Sequence, residues 1–320
     1  MRTVVITGGV GGARFIHGLQ SLLGEGPIVG GAEQITAIVN VADDMWMNGL
    51  RITPDLDSIM YALAGANDEE RGWGRRGETE RVSAELVAYG LGHSWFTLGD
   101  LDLGTHIARS DLLRQGIPLS DVVARLCARW GLGARLLPAT DSEVETHVHT
   151  TDGEVLHFQE WWVRYRATRP AERFEYRGSD VATPAPGVAQ AIREADRVIL
   201  APSNPVVSIG AVLAIDGIAQ ALRETSARVV GISPIIGGRA VRGMADACLA
   251  TIGVAAEAGS VGLHYGARAA GGLIDAWLID TVDASALPEL QRAGIAASAV
   301  PLWMTDLELS CQLAADALRA

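Results

Sequence analysis

Residues 35–59 read ITAIVNVADDMWMNGLRITPDLDSI, and this stretch decides the fold class of the chain. The apolar run at 35–41 predicts a buried strand, and Asp43 and Asp44 follow it directly. Residues 53–57, TPDLD, are typical of a helix start, with a proline and two carboxylates in the first turn. In an open parallel sheet, ligands bind beyond the carboxyl ends of the strands. The stretch therefore predicts a strand–loop–helix unit whose aspartates lie at a binding edge.

The rest of the chain repeats this alternation of strand and helix patterns. Strands are predicted at residues 2–7, 35–41, 95–98, 197–201, 228–232, 273–280 and 295–300, and helices at 13–23, 55–64, 104–115, 120–130 and from 305 onward. The last helix opens with a capping box, Thr305 and Glu308. Residues 66–82 are polar and rich in glycine, which predicts a loop. Strands that alternate with helices predict an α/β fold with a doubly wound, mostly parallel, Rossmann-like sheet.

One internal segment, residues 134–180, departs from this pattern. Residues 144–149 alternate between apolar and polar side chains. The dipeptide Asp152-Gly153 then predicts a hairpin turn that leads into a second strand at 155–164. We therefore expect a small antiparallel insertion at 134–180 within a single Rossmann-like domain of residues 1–320.

The composition limits the classes of function. The chain has 320 residues, 48% of them hydrophobic, with a net charge of −12 and no basic tract, so nucleic acid is not an expected partner. The three cysteines show no CxxC spacing, which argues against disulfides and zinc and fits a reducing, cytoplasmic location. No apolar run is long enough to cross a membrane, and the first residues do not resemble a signal peptide, so no membrane association is expected.

The aspartates of residues 35–59 predict a cation site. Attraction to the helix dipole would by itself explain Asp55 and Asp57, which lie in a first helical turn. Asp43 and Asp44 follow a strand, so the dipole does not explain them. Carboxylate oxygens are the ligands that hard divalent cations prefer. We expect a divalent cation here, with a phosphorylated substrate behind it.

The glycine-rich segment at residues 8–12, GGVGG, lies between the first strand and the first helix. Backbone amides and a helix N-terminus at such a place attract anions. The segment lacks the Gly-Lys-Ser/Thr of a Walker A loop, and Arg14 stands where a dinucleotide fingerprint has its third glycine. The alternative is a tight turn that needs a positive φ.

Two later loops that follow predicted strands are further candidates for nucleotide binding. Residues 202–205, PSNP, offer small polar groups. Residues 237–242 contain Gly238 with Arg239 and Arg242, and guanidinium groups can meet phosphate oxygens bidentately. Together with the first glycine-rich segment, these loops predict a nucleotide cleft.

Other side chains allow two interpretations each. His106 and Arg109 lie one turn apart on a predicted helix, where they reach a phosphate or form a solvated face. Trp46 and Trp73 lie in loops near the predicted cleft and can stack on a flat ring. The pair at 147–149, His-x-His, indicates an exposed strand face more than a metal site. No Ser/His/Asp order or activated cysteine predicts covalent catalysis, so the site suits positioning and charge neutralisation, as phosphoryl transfer requires.

Six blocks of sequence together resemble the 2-phospho-L-lactate transferase family of coenzyme F-420 biosynthesis, and most of all its actinobacterial members that use a phosphoenolpyruvate-derived substrate. The blocks are GGVGGARF (8–15), NVADDMWMNGLRITPDLD (40–57), LGDLDLGTHIARSDLLRQG (98–116), LHFQEWWVRYR (156–166), APSNPVVSIG (201–210) and SPIIGGRAVRG (233–243). They span nearly the whole chain, and the combination is far more specific than any single block.

The resemblance implies a reaction and its cofactor. The terminal ribityl hydroxyl of the deazaflavin Fo attacks the distal phosphorus of enolpyruvyl- or lactyl-diphosphoguanosine, GMP leaves, and dehydro-F-420-0 or F-420-0 forms. Mg²⁺ and a homodimer are also implied. The resemblance places Fo against Asp57 and against the position of Thr97, where archaeal relatives carry a basic residue, with the deazaflavin ring near Trp46.

On this basis we assign Asp43, Asp44 and Asp57 to Mg²⁺, and Asp57 also to orienting or deprotonating the attacking hydroxyl. The expected nucleotide or phosphate contacts are Gly9, Gly11, Gly12, Ser203, Asn204, Gly238 and Arg239. Replacement of Asp57 by Asn is expected to abolish most turnover while the fold is retained.

Two other functions compete with this one. A related family of UDP-sugar-binding regulators of gluconeogenesis and cell-wall growth shares the glycine-rich start and a VADD-like loop, but performs no transfer. Residues 45–57 and 157–164 favour the transferase. An NAD-dependent oxidoreductase is disfavoured by the missing third glycine. No residue in the sequence distinguishes a lactyl from an enolpyruvyl donor.

Overall fold

A central parallel sheet organises the chain. The structure is a computed structural model that describes residues 1–24, 34–93, 95–241 and 243–320, so Arg242, a predicted phosphate contact, lies outside the described residues. In chain order the strands are β1 Thr3–Thr7, β2 Ile35–Val39, β3 Met45–Met47, β4 Leu50–Ile52, β5 Arg135–Pro138, β6 Glu145–Thr150, β7 Val155–His157, β8 Ala171–Arg177, β9 Arg197–Leu200, β10 Arg228–Ile232, β11 Ile235–Ile236, β12 Arg239–Ala240, β13 Ala276–Ile279 and β14 Ala296–Ala299.

Helices connect most of these strands. The α-helices are α1 Gly9–Leu23, α2 Pro54–Leu63, α3 Arg81–Ala88, α4 Asp100–Arg114, α5 Leu119–Ala128, α6 Val188–Glu194, α7 Ala211–Leu213, α8 Ile218–Glu224, α9 Ala245–Thr251, α10 Ala258–Tyr265, α11 Leu287–Arg292 and α12 Leu307–Arg319. Two π-helical segments, Glu160–Arg164 and Pro205–Gly210, and two 3₁₀ turns, Arg268–Ala270 and Thr281–Ala286, complete the described secondary structure.

The central sheet has seven strands in the order β14-β13-β10-β9-β1-β2-β5, and every neighbouring pair is parallel. Strand β1 is buried along its whole length, and its alternate residues feed two different cores. Val4 and Ile6 belong to the core on one face, and Val5 belongs to the core on the other. A sheet buried on both faces explains the continuous apolar runs. The predicted α/β fold, doubly wound and mostly parallel, is confirmed.

Strand β1 lies at the topological switch point of the sheet. It pairs with β2 on one side and with β9 on the other, so the connections leave β1 and β9 in opposite directions. The crevice beyond the carboxyl ends of such a strand pair is where ligands bind in open α/β sheets. The glycine-rich segment follows β1 and the PSNP loop follows β9, so two of the three predicted nucleotide loops lie at this crevice.

The antiparallel sheet falls within the segment predicted to contain it. Strands β7, β6 and β8 form a three-stranded antiparallel sheet. The insertion is narrower than 134–180, because β5 pairs with β2 in the central sheet. The second predicted strand, 155–164, was too long: β7 ends at His157, and a π-helical segment follows with the indole of Trp161 buried in the core.

Several predicted boundaries were wrong for identifiable local reasons. The first helix begins at Gly9 rather than at residue 13, so most of the glycine-rich segment is helical. Residues 45–52 form a β3–β4 hairpin rather than a plain loop, and its turn is Asn48-Gly49 with both residues at positive φ. An Asn-Gly pair is a strong hairpin signal that the sequence already contained.

Three further boundaries differ. Residues 95–98 form no strand in the described part of the chain. Instead, Trp95, Phe96 and Leu98 pack in a small apolar cluster with Leu103 of α4. Helix α4 begins at Asp100, four residues earlier than predicted. The N-cap of α12 is Asp306 rather than Thr305, because the Asp306 carboxylate accepts a hydrogen bond from the amide of Leu309 at 2.9 Å.

Among the described residues, no single helix has the length and apolar character needed to cross a membrane. One bent pair of helices, Pro205–Leu213 with Ile218–Glu224, meets those criteria jointly with a bend of 82°.

Candidate functional site

A cavity of about 850 Å³ opens at the switch point, beyond the carboxyl ends of β1 and β9. Volumes of this size accommodate a drug-sized ligand or more. Its wall includes acidic residues (Asp43, Asp55, Asp57, Asp102), aromatic residues (Tyr61, Trp73, Trp95, Phe96, Phe158, Trp162, Trp303), and residues of the two predicted nucleotide loops (Gly8, Gly9, Gly11, Pro202, Ser203, Asn204).

The glycines let helix α1 approach the neighbouring chain closely. A Cβ at Gly11 would lie 2.8 Å from the carbonyl oxygen of Pro202, and a Cβ at Gly12 would overlap the hydroxyl of Thr7. Ser203 fixes the same contact, since its hydroxyl donates to the Gly8 carbonyl at 2.7 Å. Close packing of α1 is therefore one reason for these glycines, and Gly9 and Gly11 also face the cavity.

Asp55 and Asp43 form the acidic wall beside the start of α1. The Asp55 carboxylate accepts a hydrogen bond from the Asn40 amide at 3.0 Å. Burial raises the pKa of Asp55 to about 6, although Asn40 and the amide of Gly9 act in the opposite direction. Burial, the charge of Asp55 and the charge of Asp44 raise the pKa of Asp43 well above its usual range. Among the residues that the structure describes, no cationic side chain contributes to these two shifts, so those residues leave the negative charge of the pair uncompensated.

Asp44 lies behind this wall and does not line the cavity. Its side chain is fully buried, and Arg51 Nη2 lies 3.9 Å from its carboxylate. Burial raises the pKa of Asp44 well above its usual range, against the lowering effects of Arg51 and Arg109. The Arg51 guanidinium also pairs with Glu145 at 3.2 Å. Asp44 therefore contributes to a buried charge cluster between the β3–β4 hairpin and the antiparallel sheet.

Asp57 lines the cavity and is paired with a buried guanidinium. Arg109 Nη2 donates to Asp57 Oδ1, and the hydroxyl of Thr53 donates to Asp57 Oδ2 at 3.2 Å. Arg109 is 1% exposed. Burial lowers the pKa of Arg109, but the charge and hydrogen bond of Asp57, together with the charges of Tyr61 and Asp44, outweigh burial, and the net pKa is raised. The charge of Asp57 is thus compensated within the protein, unlike that of Asp43 and Asp55.

His106 links this ion pair to Asp102. A guanidinium can only donate, so the 2.9 Å contact of Arg109 Nη1 with His106 Nδ1 means that Nδ1 accepts and Nε2 carries the hydrogen. His106 Nε2 faces Asp102 Oδ1 at 3.3 Å, and the hydroxyl of Tyr61 donates to the same oxygen at 2.7 Å. Burial raises the pKa of Asp102, but the contacts with His106 and Tyr61 and the charge of Arg109 outweigh burial, and the pKa is lowered.

The donor set beside α1 fits a hard divalent cation. Asp43 Oδ1 is buried and has no hydrogen-bond partner, although Asp43 lines the cavity. Carboxylate oxygens that lack a protein cation are ligands suited to Mg²⁺. Asp57, Asp102 and His106 also have ligand atoms within 4.8 Å of one another, but Arg109 already supplies positive charge there. Asp43 and Asp55 are therefore the better candidates to hold a metal, and coordination by Asp44 and Asp57 stays a prediction.

The predicted aromatic and Fo contacts separate into two groups. Trp73 and Thr97 line the cavity. Trp46 does not: it lies on β3, 42% exposed, and its indole nitrogen donates to Glu143 at 3.0 Å. The hairpin turns this indole away from the cavity, because alternate residues of a strand face opposite sides. Any role of Trp46 with Fo therefore stays a prediction that the cavity geometry does not support.

The predicted phosphate contacts also separate. Ser203 and Asn204 line the cavity, and Asn204 also caps the following π-helical segment by accepting from the amide of Val206 at 2.9 Å. Gly238 and Arg239 are exposed, in the turn and at the start of the second strand of the β11–β12 hairpin, and the described wall of the cavity does not include them.

Sequence reasoning gave too small a role to one face of α4. Asp102, His106 and Arg109 lie four and three residues apart, so they share a helix face. That face is buried rather than solvated, since His106 and Arg109 are each 1% exposed. The spacing was a usable signal, because three polar residues at helical intervals next to a predicted acidic site indicate a shared network.

Comparison with known proteins gives a consistent assignment. The sequence matches the family 2-phospho-L-lactate transferase CofD over residues 3–308. The phosphoenolpyruvate transferase of Mycolicibacterium smegmatis is 54% identical, with 98% of this chain and 96% of the relative covered. The phosphoenolpyruvate transferases of Mycobacterium sp. (strain JLS) and Mycobacterium tuberculosis are 52% and 49% identical, over 100% and 98% of this chain and 98% and 96% of the relatives.

The fold has a counterpart among solved structures. A UPF0052 family protein from Bacillus halodurans superposes with a TM-score of 0.62 at 19% identity, covering 99% of this chain and 98% of that protein. At this identity the likeness concerns the fold alone. Family membership is established by the family match over nearly the whole chain and by relatives that are about half identical in sequence. The chain therefore belongs to the 2-phospho-L-lactate transferase CofD family, the transferase family of coenzyme F-420 biosynthesis that its motifs predicted.

Proposed function

We propose that the protein transfers the phosphoenolpyruvyl group of enolpyruvyl-diphosphoguanosine to the terminal ribityl hydroxyl of the deazaflavin Fo. The hydroxyl oxygen bonds to the distal phosphorus, the bond from that phosphorus to the bridging oxygen breaks, and GMP leaves with the bridging oxygen. The hydroxyl proton passes to the carboxylate of Asp57, and dehydro-F-420-0 forms. The names of the relatives favour this donor, and the lactyl donor, which would give F-420-0, is the alternative.

One observation carries the proposal: the carboxylates, the nucleotide-loop residues and a set of aromatic rings all line the same cavity. Asp43 and Asp55 would hold Mg²⁺, which would neutralise charge on the diphosphate. Gly9, Gly11 and Ser203 lie on the same wall, where the backbone amides at the start of α1 suit the diphosphate.

Asp57 is the residue that we assign to the acceptor. Its second carboxylate oxygen lies toward Thr53 and His106, on the cavity wall, while Arg109 holds the first. A carboxylate fixed in this way can orient a hydroxyl for in-line attack, which is the main requirement of phosphoryl transfer. A homodimer and a cytoplasmic location, expected from the resemblance and the composition, belong to the same proposal.

The test is direct turnover. The purified protein is mixed with Fo, Mg²⁺ and either enolpyruvyl- or lactyl-diphosphoguanosine, and GMP and the deazaflavin product are followed by mass spectrometry. We expect dehydro-F-420-0 and GMP in equal amounts with the enolpyruvyl donor. The Asp57→Asn variant is the matched control, expected to remain folded by circular dichroism and to lose most turnover.

Two results would contradict the proposal. Absence of product with both donors, in folded protein that binds a UDP-sugar, would favour a regulator without transfer chemistry. Turnover at the wild-type rate in Asp57→Asn would be consistent with the proposed reaction but would show that Asp57 has no role in it.

A further inference from the structure

Helix α4, which carries Asp102, His106 and Arg109, has no side-chain cap at its N-cap position, although Asp100 within the helix accepts from the Leu101 amide at 3.0 Å. Its N-cap residue is Gly99, which has no side chain to accept from the free amides of the first turn. Glu78 supplies the acceptor from outside the helix, since its Oε2 accepts from the Asp102 amide at 3.1 Å. A Cβ at Gly99 would overlap the Glu78 carboxyl, so the glycine makes room for this cap.

The other oxygen of Glu78 holds the loop at residues 68–80. Glu78 Oε1 accepts from Arg71 Nη2 at 2.8 Å and from the Arg75 amide at 2.9 Å. The Glu78 side chain is fully buried by these contacts. The Arg71 guanidinium lies 4.4 Å from the ring centroid of Trp73, which lines the cavity. One carboxylate therefore joins a cavity-lining loop to the first turn of α4.

Helix α4 transmits this link to the candidate catalytic aspartate. Arg109 and His106 contact Asp57 from one face of α4, and Asp102 contacts His106 from the first turn. The amide that Glu78 caps belongs to Asp102 itself. We infer that Glu78 is a positioning residue, which sets α4 against the loop at 68–80 and thereby holds Asp57 in place for the reaction. The inference rests on the proposed function for its kinetic consequence.

Replacement of Glu78 by glutamine tests whether its hydrogen bonds position α4. Both oxygens of Glu78 face N–H donors, three in all. A glutamine has nearly the same shape but must turn its NH₂ group toward one set of those donors. Glu80→Gln is the matched control, because Glu80 also pairs with Arg71 at 2.8 Å but is half exposed and does not contact α4 through an ion pair or hydrogen bond among the described contacts.

Steady-state kinetics of the full-length protein test the kinetic part. Fo and the guanosine-diphosphate donor are varied separately with Mg²⁺ present. For Glu78→Gln we expect kcat to fall by about tenfold or more, since small displacements of positioned groups are costly, and the KM values of the two substrates to change unequally. Glu80→Gln should stay within about twofold of the wild type. If the loss of kcat only matched the fraction of unfolded protein, and both KM values were unchanged, Glu78 would be a structural residue and the inference would be overturned.

Amide hydrogen exchange provides a measurement that does not depend on turnover. In Glu78→Gln, the amide of Asp102 is expected to exchange faster than in the wild type, because Glu78 is its acceptor, and the peptide that contains Asp57 should lose protection as well. Glu80→Gln should leave both unchanged. Wild-type protection of these residues in Glu78→Gln would reject the link, even in a protein that is active. Absence of turnover in the wild type would reject the proposed function, and the exchange data would still decide the role of Glu78.

Discussion

Asp55 and Asp57 occupy the same first turn of α2, yet the protein treats their charges differently. Asp55 faces Asp43 and the neutral donors Asn40 and Gly9, and burial raises its pKa to about 6. Asp57 faces Arg109, which donates directly to its carboxylate. Both side chains line the cavity. The two residues thus create an acidic side, to which the described residues supply no cation, and a side paired with Arg109.

The comparison shows how one helix turn can serve two chemical tasks. A carboxylate that lacks a cationic partner in the protein has capacity for an external cation, which Asp43 and Asp55 share. A carboxylate held by a buried guanidinium has a fixed position instead, which suits the orientation of a substrate group. The division of labour follows from the neighbours and not from the residue type.

The largest effect is expected when the paired side is broken. Arg109→Met would leave the buried Asp57 carboxylate without its guanidinium, and loss of one partner of a buried pair costs about 3–5 kcal/mol of unfolding free energy. Denaturant unfolding measures this change, and turnover should fall with it. Arg125→Met, at an exposed position of helix α5, is the control, expected within about 0.5 kcal/mol of the wild type.

A second substitution sharpens the result. Combining Arg109→Met with Asp57→Leu removes both charges, and it should recover part of the lost stability without restoring turnover. An Arg109→Met variant as stable as the wild type would show that Asp57 does not depend on this guanidinium, and the contrast between Asp55 and Asp57 would disappear.

The acidic side is expected to give an intermediate effect with a defined pH dependence. The folded protein raises the pKa of Asp55 from 3.8 to about 6, so the folded state binds more protons than the unfolded state between those values. The free energy of unfolding of metal-free protein should therefore fall as pH rises from about 4 to 6. The shift corresponds to about 3 kcal/mol at neutral pH.

Asp55→Asn removes this titration and isolates its contribution. In the presence of EDTA, the variant should be more stable than the wild type at pH 7 by up to about 3 kcal/mol, and the difference should vanish near pH 4. Urea unfolding across this pH range measures it. A wild-type curve that rises between pH 4 and 6 relative to Asp55→Asn would mean that Asp55 has a cationic partner after all.

The architecture was predictable because it depends on local patterns. Apolar runs gave the central strands β2, β9 and β10 nearly to the residue, since a sheet covered on both faces needs continuous apolar sequence. Helix starts were less accurate. The start of α4 was placed four residues late, because its cap comes from Glu78, a residue 24 positions from the capped amide.

The site was predictable only in part, for a related reason. The acidic residues could be predicted from the sequence, because they follow a strand or lie at a helix start. Their division into a paired and an unpaired side could not be predicted, because Arg109 lies 52 residues from Asp57 and Asn40 lies 15 residues from Asp55. Trp46 is a similar case, since the Asn-Gly turn determines which face of the hairpin its indole occupies.

The smallest effect, and the most direct test of the comparison, concerns magnesium. Mg²⁺ at ten times its dissociation constant should stabilise the wild type by about 1.4 kcal/mol, a rise in Tm of roughly 2 °C. Asp43→Asn should lose this rise, because Asp43 faces the cavity with an unbonded oxygen. Asp121→Asn, an exposed aspartate on α5, should retain it. Asp44→Asn should also retain it, since Asp44 lies behind the wall beside Arg51. If Asp44→Asn abolished the rise in Tm and Asp43→Asn did not, the cation would bind beside Arg51, where the protein already supplies positive charge. The assignment of the metal to Asp43 and Asp55 would then be wrong.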